Sequence, residues 1–344
     1  MHRFIFIGAL HLNQLPMDGE TAKNRILLAY LKELYPGIEV LDTFNWKKSV
    51  YTLIQIIRCL FLRDVTIFVS ASTNSVYKFS KLSYTLGSPG TYFYFVIGNT
   101  ILNQINQGKM QIKYLQKYRR IFVEGKRTKE ALIGHGLKNV SYLPNFKKIY
   151  PISVEYRLSQ IRELGKIHFV FLSRIMEEKG VTDIFRAMNI LNDLGLKQKY
   201  DVTFYGAENA EYKTYFADQI VEISNALYGG FLNLQSQSGY ETLAKYHLML
   251  FPTYWHGEGF PGVIVDSFVA GVPVVASDWN LNAEIIQNNF NGLLIEPRNV
   301  NSLVDAMSYF ISEPEEIGKL SMNCLMIADQ YDYRKVLVEL NDYL

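Results

Sequence analysis

Cysteine is scarce: only Cys59 and Cys324 occur in 344 residues, far apart and each inside an apolar helical pattern. Such a pair reads as two packed thiols of a reducing cytosol, and a disulfide-stapled fold is not expected. Long apolar runs are missing too. Charges or amides cut every candidate, including Tyr51 to Leu62, well before the roughly 18 apolar residues a membrane-spanning helix needs. The opening run Phe4–Ile7 is too short for the apolar region of a secretory signal and reads as a buried first strand. Low-complexity segments are absent, and with 49% apolar and 20% charged residues the composition is that of an ordered protein. Neither a Gly-x-Gly-x-x-Gly fingerprint nor a Walker-type lysine loop occurs, which argues against dehydrogenases and NTPases. No His, Cys, Asp and Glu cluster has ligand spacing; His11, His135 and His247 read as loop or strand residues, so neither a metal nor a resident cofactor is expected.

What is present is length for two domains and a regular alternation of β-rich runs with helical periodicity, the pattern of parallel sheets wrapped by helices. In the first half, strands are expected near residues 3–8, 38–41, 65–70, 92–97, 121–124 and 140–143, with helices at 20–34, 47–62, 109–118 and 127–134. Pro144 and the polar stretch to Lys166 break the alternation. A second series follows, with strands near 168–172, 201–205, 229–232, 248–252, 273–276 and 293–295. The expected fold class is therefore α/β, two doubly wound Rossmann-like domains with ligands at the carboxyl ends of their strands. The first would span residues 1–160, the second 161–329, and a terminal helix 330–344 would pack back on the first.

A net charge of +2 conceals an asymmetry: residues 1–160 hold 22 Lys and Arg against 9 Asp and Glu, and residues 161–344 hold 13 against 24. The basic half is suited to an anionic partner. Nucleic acid, an anionic membrane surface and a phosphorylated acceptor all fit.

Motifs follow the strands of the second half. Arg174 and Lys179 flank the turn Ser173–Gly180 ahead of a helix, where two cations and free helix amides suit a diphosphate. The plainer reading is a surface pair neutralised by Glu177 and Glu178. After the strand near 248–252 comes Thr253-Tyr254-Trp255-His256-Gly257-Glu258-Gly259-Phe260-Pro261-Gly262, then a helix containing Asp266. Pro261 suits a first helical turn, Gly259 permits close approach of a ligand, and the two acids can accept sugar or ribose hydroxyls. Two carboxylates also serve glycosidases, so a hydrolase is weighed; as plain structure they are a helix-start charge and a solvated helix residue. In the first half, Gly19 and Lys23 open the first helix, whose start could face phosphates and the acceptor or be that of an ordinary capped helix.

The pattern Arg174-x4-Lys179-Gly180, Glu258-Gly259-Phe260-Pro261-x4-Asp266 and Ala270-Gly271-Val272-Pro273-Val274-Val275 resembles the retaining GT-B glycosyltransferases of family 4, across the second domain and more loosely at Leu143-Pro144-Asn145. The resemblance implies a GT-B architecture and a metal-independent transfer of sugar from a nucleotide-diphosphate sugar to a glycan or lipid-linked acceptor, in surface polysaccharide synthesis. It implies that Arg174 and Lys179 bind the donor diphosphate, Glu258 contacts the transferred sugar and Asp266 holds the ribose. Gly206, Gly259, Phe260 and Pro261 complete the donor set. Gly19, Lys23, Asn99 and His256 are assigned to the acceptor or phosphate loop. Three positions depart from the family: Asp266 replaces the usual Glu and is shorter by about 1.5 Å, Ser277–Glu284 lacks the usual glycine pair, and Gly98-Asn99 stands where many relatives carry a histidine. Asp-x-Asp, the metal signature of the other large transferase fold, is missing. The alternatives are a noncatalytic nucleotide-sugar-binding subunit, a GT-B sugar-nucleotide epimerase or phosphorylase, and a nucleic-acid binder, the last not expected.

The expected location is cytoplasmic, peripheral on the inner leaflet. Two segments bear on this. The stripe Trp46, Val50, Leu53, Ile54, Ile57, Leu60 and Phe61, with Lys47, Lys48 and Arg58 off it, is expected to pack on its own sheet. Lys109, Lys113 and Lys117 are expected as one i, i+4 row on a helix from 109 to 118, facing anionic lipid.

Overall fold

The computed structural model describes residues 2–12, 19–44, 46, 49–162 and 165–344. Most of the expected loop from Ala9 to Asp18, and Lys47 and Lys48, lie outside the described residues. The chain divides into two compact units. The first comprises Met1–Lys147, Gly257–Phe260 and Tyr333–Leu344, the second Lys148–His256 and Pro261–Asp332. Residues 148–160, expected with the first domain, thus fold with the second.

The first unit alternates β1 (Arg3–Gly8), α1 (Gly19–Leu34), β2 (Glu39–Asp42), α2 (Val50–Cys59), β3 (Val65–Ser72), α3 (Thr73–Thr85), β4 (Thr91–Ile97), α4 (Ile101–Asn106), α5 (Ile112–Leu115), β5 (Arg120–Val123), α6 (Lys126–Gly134) and β6 (Val140–Tyr142). All six strands are parallel, in the order β2-β1-β3-β4-β5-β6. Central strands such as Phe68 on β3 and Tyr94 and Phe95 on β4 are buried on both sides, as expected when helices cover both sheet faces. One face meets α1, where Leu27 and Leu31 join Val336, Leu337 and Leu340 of the chain's last segment in one core. Tyr333 starts that segment by donating its N–H to the Lys147 carbonyl at 2.9 Å.

The second unit alternates α7 (Val154–Ile161), β7 (Ile167–Leu172), α8 (Val181–Asp193), β8 (Tyr200–Tyr205), α9 (Lys213–Glu222), β9 (Ala226–Gly230), α10 (Gln237–Leu243), β10 (Leu248–Phe251), α11 (Gly262–Val269), β11 (Val274–Ser277), α12 (Asn282–Ile285), β12 (Gly292–Ile295), α13 (Val300–Ser312) and α14 (Glu316–Ala328). Its sheet runs β12-β11-β10-β7-β8-β9. Counted from its own first strand this is 3-2-1-4-5-6 read from the other edge, the Rossmann order, and the reversal falls between β7 and β10. Arg157 on α7 is fully buried. Its guanidinium donates to the carbonyls of Gly271 (2.8 Å), Ala244 (2.6 Å), Tyr246 (2.7 Å) and His247 (3.3 Å) and to Ser321 Oγ (3.0 Å). It thereby ties four segments of the unit around the turn before β11.

Two expectations about the first unit fail. The helix at 109–118 is only α5, because Gly108 at φ 68 ends α4, and the amides of Lys109 and Met110 both return to the Gln104 carbonyl. Asn139 Nδ2 then draws the Leu115 and Tyr118 carbonyls at 3.2 and 2.6 Å. Lys109, Lys113 and Lys117 therefore form no single helical row, and Lys117 is half-buried with its ammonium on the Ser88 carbonyl. The stripe of α2 does not pack on the sheet either: Val50, Leu53, Ile54, Ile57 and Phe61 are exposed, and Leu60 alone of that list is buried. The cysteines agree with their reading, both free and buried.

Candidate functional site

In the second unit the two motif-bearing turns leave neighbouring strands. β7 and β10 pair in parallel at Phe169 with Leu248 and Val170 with Met249, and both turns start at their carboxyl ends, at the reversal of strand order. The turn after β7 is fastened to the one after β10: the Glu178 carbonyl accepts the Tyr254 N–H at 2.9 Å and the Thr253 hydroxyl at 3.3 Å. Gly180 is required here. It has φ 83, and a Cβ would collide with the Pro252 carbonyl.

The two cations of this turn differ in setting. Lys179 is 5% exposed, with Nζ 5.8 Å from the Phe251 ring centroid. Arg174 is exposed, its guanidinium 5.5 Å from the Trp255 ring centroid. Trp255 is in turn held by Trp279, whose indole donates to the Trp255 carbonyl at 2.9 Å. The segment from Ser277 that lacks a glycine pair turns at Asn280, a non-glycine residue at φ 50 of the kind that tolerates this region. Gly206 closes β8, with its N–H on the Gly230 carbonyl at 2.8 Å, and a Cβ there would collide with the Ser173 carbonyl.

α11 begins at Gly262 with Pro261 as N-cap, and no side chain caps it. The Ile264 N–H returns to the Pro261 carbonyl at 3.1 Å, which leaves the two amides before it outside the helix's own bonding. Asp266, one turn in, is not the solvated residue of the plainer reading. It is 5% exposed and accepts the Tyr240 hydroxyl at 2.6 Å. Burial, and next the Asp266 carboxylate, push the Tyr240 phenol well above its usual range, so it remains the donor.

Gly257–Phe260, between His256 and Pro261 of the second unit, belongs to the first. There it is clamped. Glu124, just after β5, accepts the Phe260 N–H at 3.3 Å, and Asn145 Nδ2 donates to the Phe260 carbonyl at 2.9 Å. A Cβ on Gly259 would stand 3.0 Å from Glu124 Oε2 and from Gly98 Cα, so glycine lets this backbone close against Gly98. Half-buried Glu258 is displayed by this clamp.

Lys23 is not a cation at an open helix start. It is 6% exposed and its ammonium lies 2.6 Å from Glu124 Oε1, so it neutralises a buried carboxylate. Gly19 is exposed, and among the described residues a Cβ there would meet nothing within 4 Å; Asn99 accepts the Thr128 hydroxyl at 3.0 Å, and His256 is exposed beside Trp255. Local pattern does not single out Glu124, Tyr240 or Arg157. Only the polarity of Glu124 directly after an apolar strand offered a signal. Among the described residues no group of three or more His, Cys, Asp or Glu is placed to hold a metal ion.

Comparison with solved structures identifies the architecture. The Anabaena protein HepE, crystallised in complex with UDP, superposes with a TM-score of 0.71 at 14% identity, covering 99% of this chain and 98% of that one. The fold is GT-B. Residues 155–324 match the family described as Glycosyl transferases group 1, so the chain carries a domain of that family. Among curated relatives, the N,N'-diacetylbacillosaminyl-diphospho-undecaprenol alpha-1,3-N-acetylgalactosaminyltransferase of Campylobacter jejuni is 25% identical over 193 residues, 55% of this chain and 48% of the relative. An exopolysaccharide phosphotransferase of Streptomyces coelicolor is 40% identical over 79 residues, 23% of this chain and 8% of the relative. The matches thus span less than half the length of these two relatives.

Proposed function

We propose that the protein transfers a glycosyl group from a nucleoside diphosphate sugar to a glycan or lipid-linked acceptor, with retention at the anomeric carbon and without a metal. The observation that carries this reading is the pairing of two fastened turns, after β7 and β10, at the reversal of strand order. They bring Arg174, Lys179 and the uncapped start of α11 to one end of the sheet.

In this reading Lys179 and Arg174 bind the donor diphosphate, with the starts of α8 and α11 adding amide donors. As the bond between the anomeric carbon and the β-phosphate oxygen breaks, its electron pair goes to that oxygen, and these groups stabilise the charge that develops. The acceptor hydroxyl attacks from the same side, forming the new carbon–oxygen bond, and its proton passes to the departing phosphate. Glu258 orients the transferred sugar. Asp266 holds the ribose through lone pairs beyond the one that takes the Tyr240 hydroxyl. Gly206, Gly259, Phe260 and Pro261 shape the donor contact, while Asn99 and His256 lie on the acceptor side.

The relatives supply the first substrates to try. HepE was crystallised with UDP, and the Campylobacter relative is named for a polyprenyl-diphosphate-linked acceptor. UDP-sugars should therefore be screened for binding, and hits tested with undecaprenyl-diphosphate-linked sugars and with soluble glycans, in excess EDTA. Nucleotide released only with acceptor is the expected result. Turnover without acceptor would replace transfer with epimerisation or hydrolysis, and binding without turnover would make the chain a donor-binding subunit.

A further inference from the structure

We propose that α2 lies on an anionic lipid surface with its apolar side turned into the acyl boundary. The observation is an inverted helix. Thr52, Gln55 and Ile56 are half-buried and Cys59 is buried, so the side facing the protein runs through positions 52, 55, 56 and 59 and half of it is polar. At about 100° per residue, Val50, Leu53, Ile54, Ile57 and Phe61 fall on the opposite side. They are exposed by 73, 42, 55, 38 and 62%, with Tyr51 beside them at 71%. Single exposed apolar residues need no explanation, but a stripe along the outer side of one helix does. The helix is formed, not frayed: Ser49 accepts the Thr52 N–H at its start, and the Leu60 N–H returns to the Ile57 carbonyl at its end.

The charge around it selects the partner. Between Asp42 and Glu124 the sequence has eleven Lys and Arg and one acid, Asp64. Arg58, Arg63, Lys78, Lys81, Lys109 and Lys113 of this stretch are exposed. Near the end of α3, Leu82, Tyr84 and Leu86 are exposed as well, and Ser88 Oγ joins the two helix ends by donating to the Leu60 carbonyl at 2.5 Å. A second copy meeting this face symmetrically would set cation against cation. An anionic bilayer matches both features, because an amphipathic helix partitions its apolar side into the interface while cations meet the headgroups. Among the described residues no helix is long and apolar enough to cross a membrane. The proposal is independent of the transfer reaction.

The test is co-flotation of the full chain with vesicles of phosphatidylcholine alone or with about 30% phosphatidylglycerol, at low and high salt. Wild type should float with the anionic vesicles and be released by salt. Ile54→Asp with Ile57→Asp, both exposed positions, should lower the partition by at least about tenfold with an unchanged melting transition. Arg58→Ala with Lys81→Ala should lower it by roughly 25-fold, about fivefold per cation. Val221→Asp, at an 86% exposed position of the second unit, should bind as wild type. Wild type indifferent to lipid charge, or either double variant binding unchanged, would overturn the proposal. A lipid-free dimer that Ile54→Asp dissociates would overturn it in favour of a second copy.

Discussion

The two units share one plan, six parallel strands wrapped by helices, yet differ in what they leave at the surface and in how their functional residues are held. The first carries 22 Lys and Arg against 11 Asp and Glu, the second 13 against 22. In the second unit the candidate donor residues sit on turns fixed by bonds to their own and neighbouring strand ends. In the first, Glu258 is displayed by partners more than a hundred residues away, Glu124 and Asn145 acting through Phe260. The proposed donor turns are thus encoded locally, while the residue proposed to contact the transferred sugar depends on long-range packing.

The largest expected effect breaks that long-range clamp. Lys23→Ala leaves Glu124 buried without its cation and should destabilise the first unit by about 3–5 kcal/mol. Adding Glu124→Leu should recover a large part of it, measured by denaturant unfolding of both variants. A loss below about 1 kcal/mol would show that the pair is dispensable.

A second contrast is acid sensitivity. Burial, then Arg157 and His168, depress His247 from 6.5 to about 4, and its Nε2 is buried without a partner among the described residues. Between those pH values the unfolded chain binds more protons than the folded one, so stability falls as pH falls through this window. The full difference is about 3 kcal/mol. The second unit's melting transition should drop accordingly from pH 7 to 4, and His247→Gln should flatten the slope. An unchanged slope would assign the acid response to other groups, such as Asp201, which accepts His168.

These contrasts also mark what the sequence made legible. The strands were readable because runs such as Ile5–Ile7 and Leu248–Phe251 are buried on both faces and need no partner to be identified. The placement of Arg174, Lys179 and Glu258 was readable because each follows a strand end and precedes a helix. Periodicity gave the stripe of α2 but not its direction, since an apolar stripe has the same spacing toward a sheet or away from it. Nor could local pattern show that Asn139 would draw the carbonyls that end the helix around Lys113, or that Tyr240 would reach Asp266. Those outcomes depend on residues distant in sequence.

Smaller effects should separate the two proposed acids. Glu258→Gln should lower kcat by about 10- to 100-fold with little change in donor affinity, and Asp266→Ala should mainly raise the donor KM, because ribose is remote from the breaking bond. Identical kinetic profiles would contradict separate roles. The smallest effect is predicted at Gly19, where a Cβ meets nothing within 4 Å. Gly19→Ala should change stability and turnover by no more than about 0.5 kcal/mol, and a large loss of activity would restore this helix start to the reacting site.

The central claim is that the fastened turns of the second unit hold the donor diphosphate, and calorimetric titration of UDP in excess EDTA tests it most directly. Wild type should bind. Lys179→Ala should bind about 10- to 150-fold more weakly, the loss of one charge-assisted contact of about 1.5–3 kcal/mol. Equal affinity of a folded Lys179→Ala variant and wild type, or wild-type binding that vanishes on chelation and returns with Mg²⁺, would contradict the account.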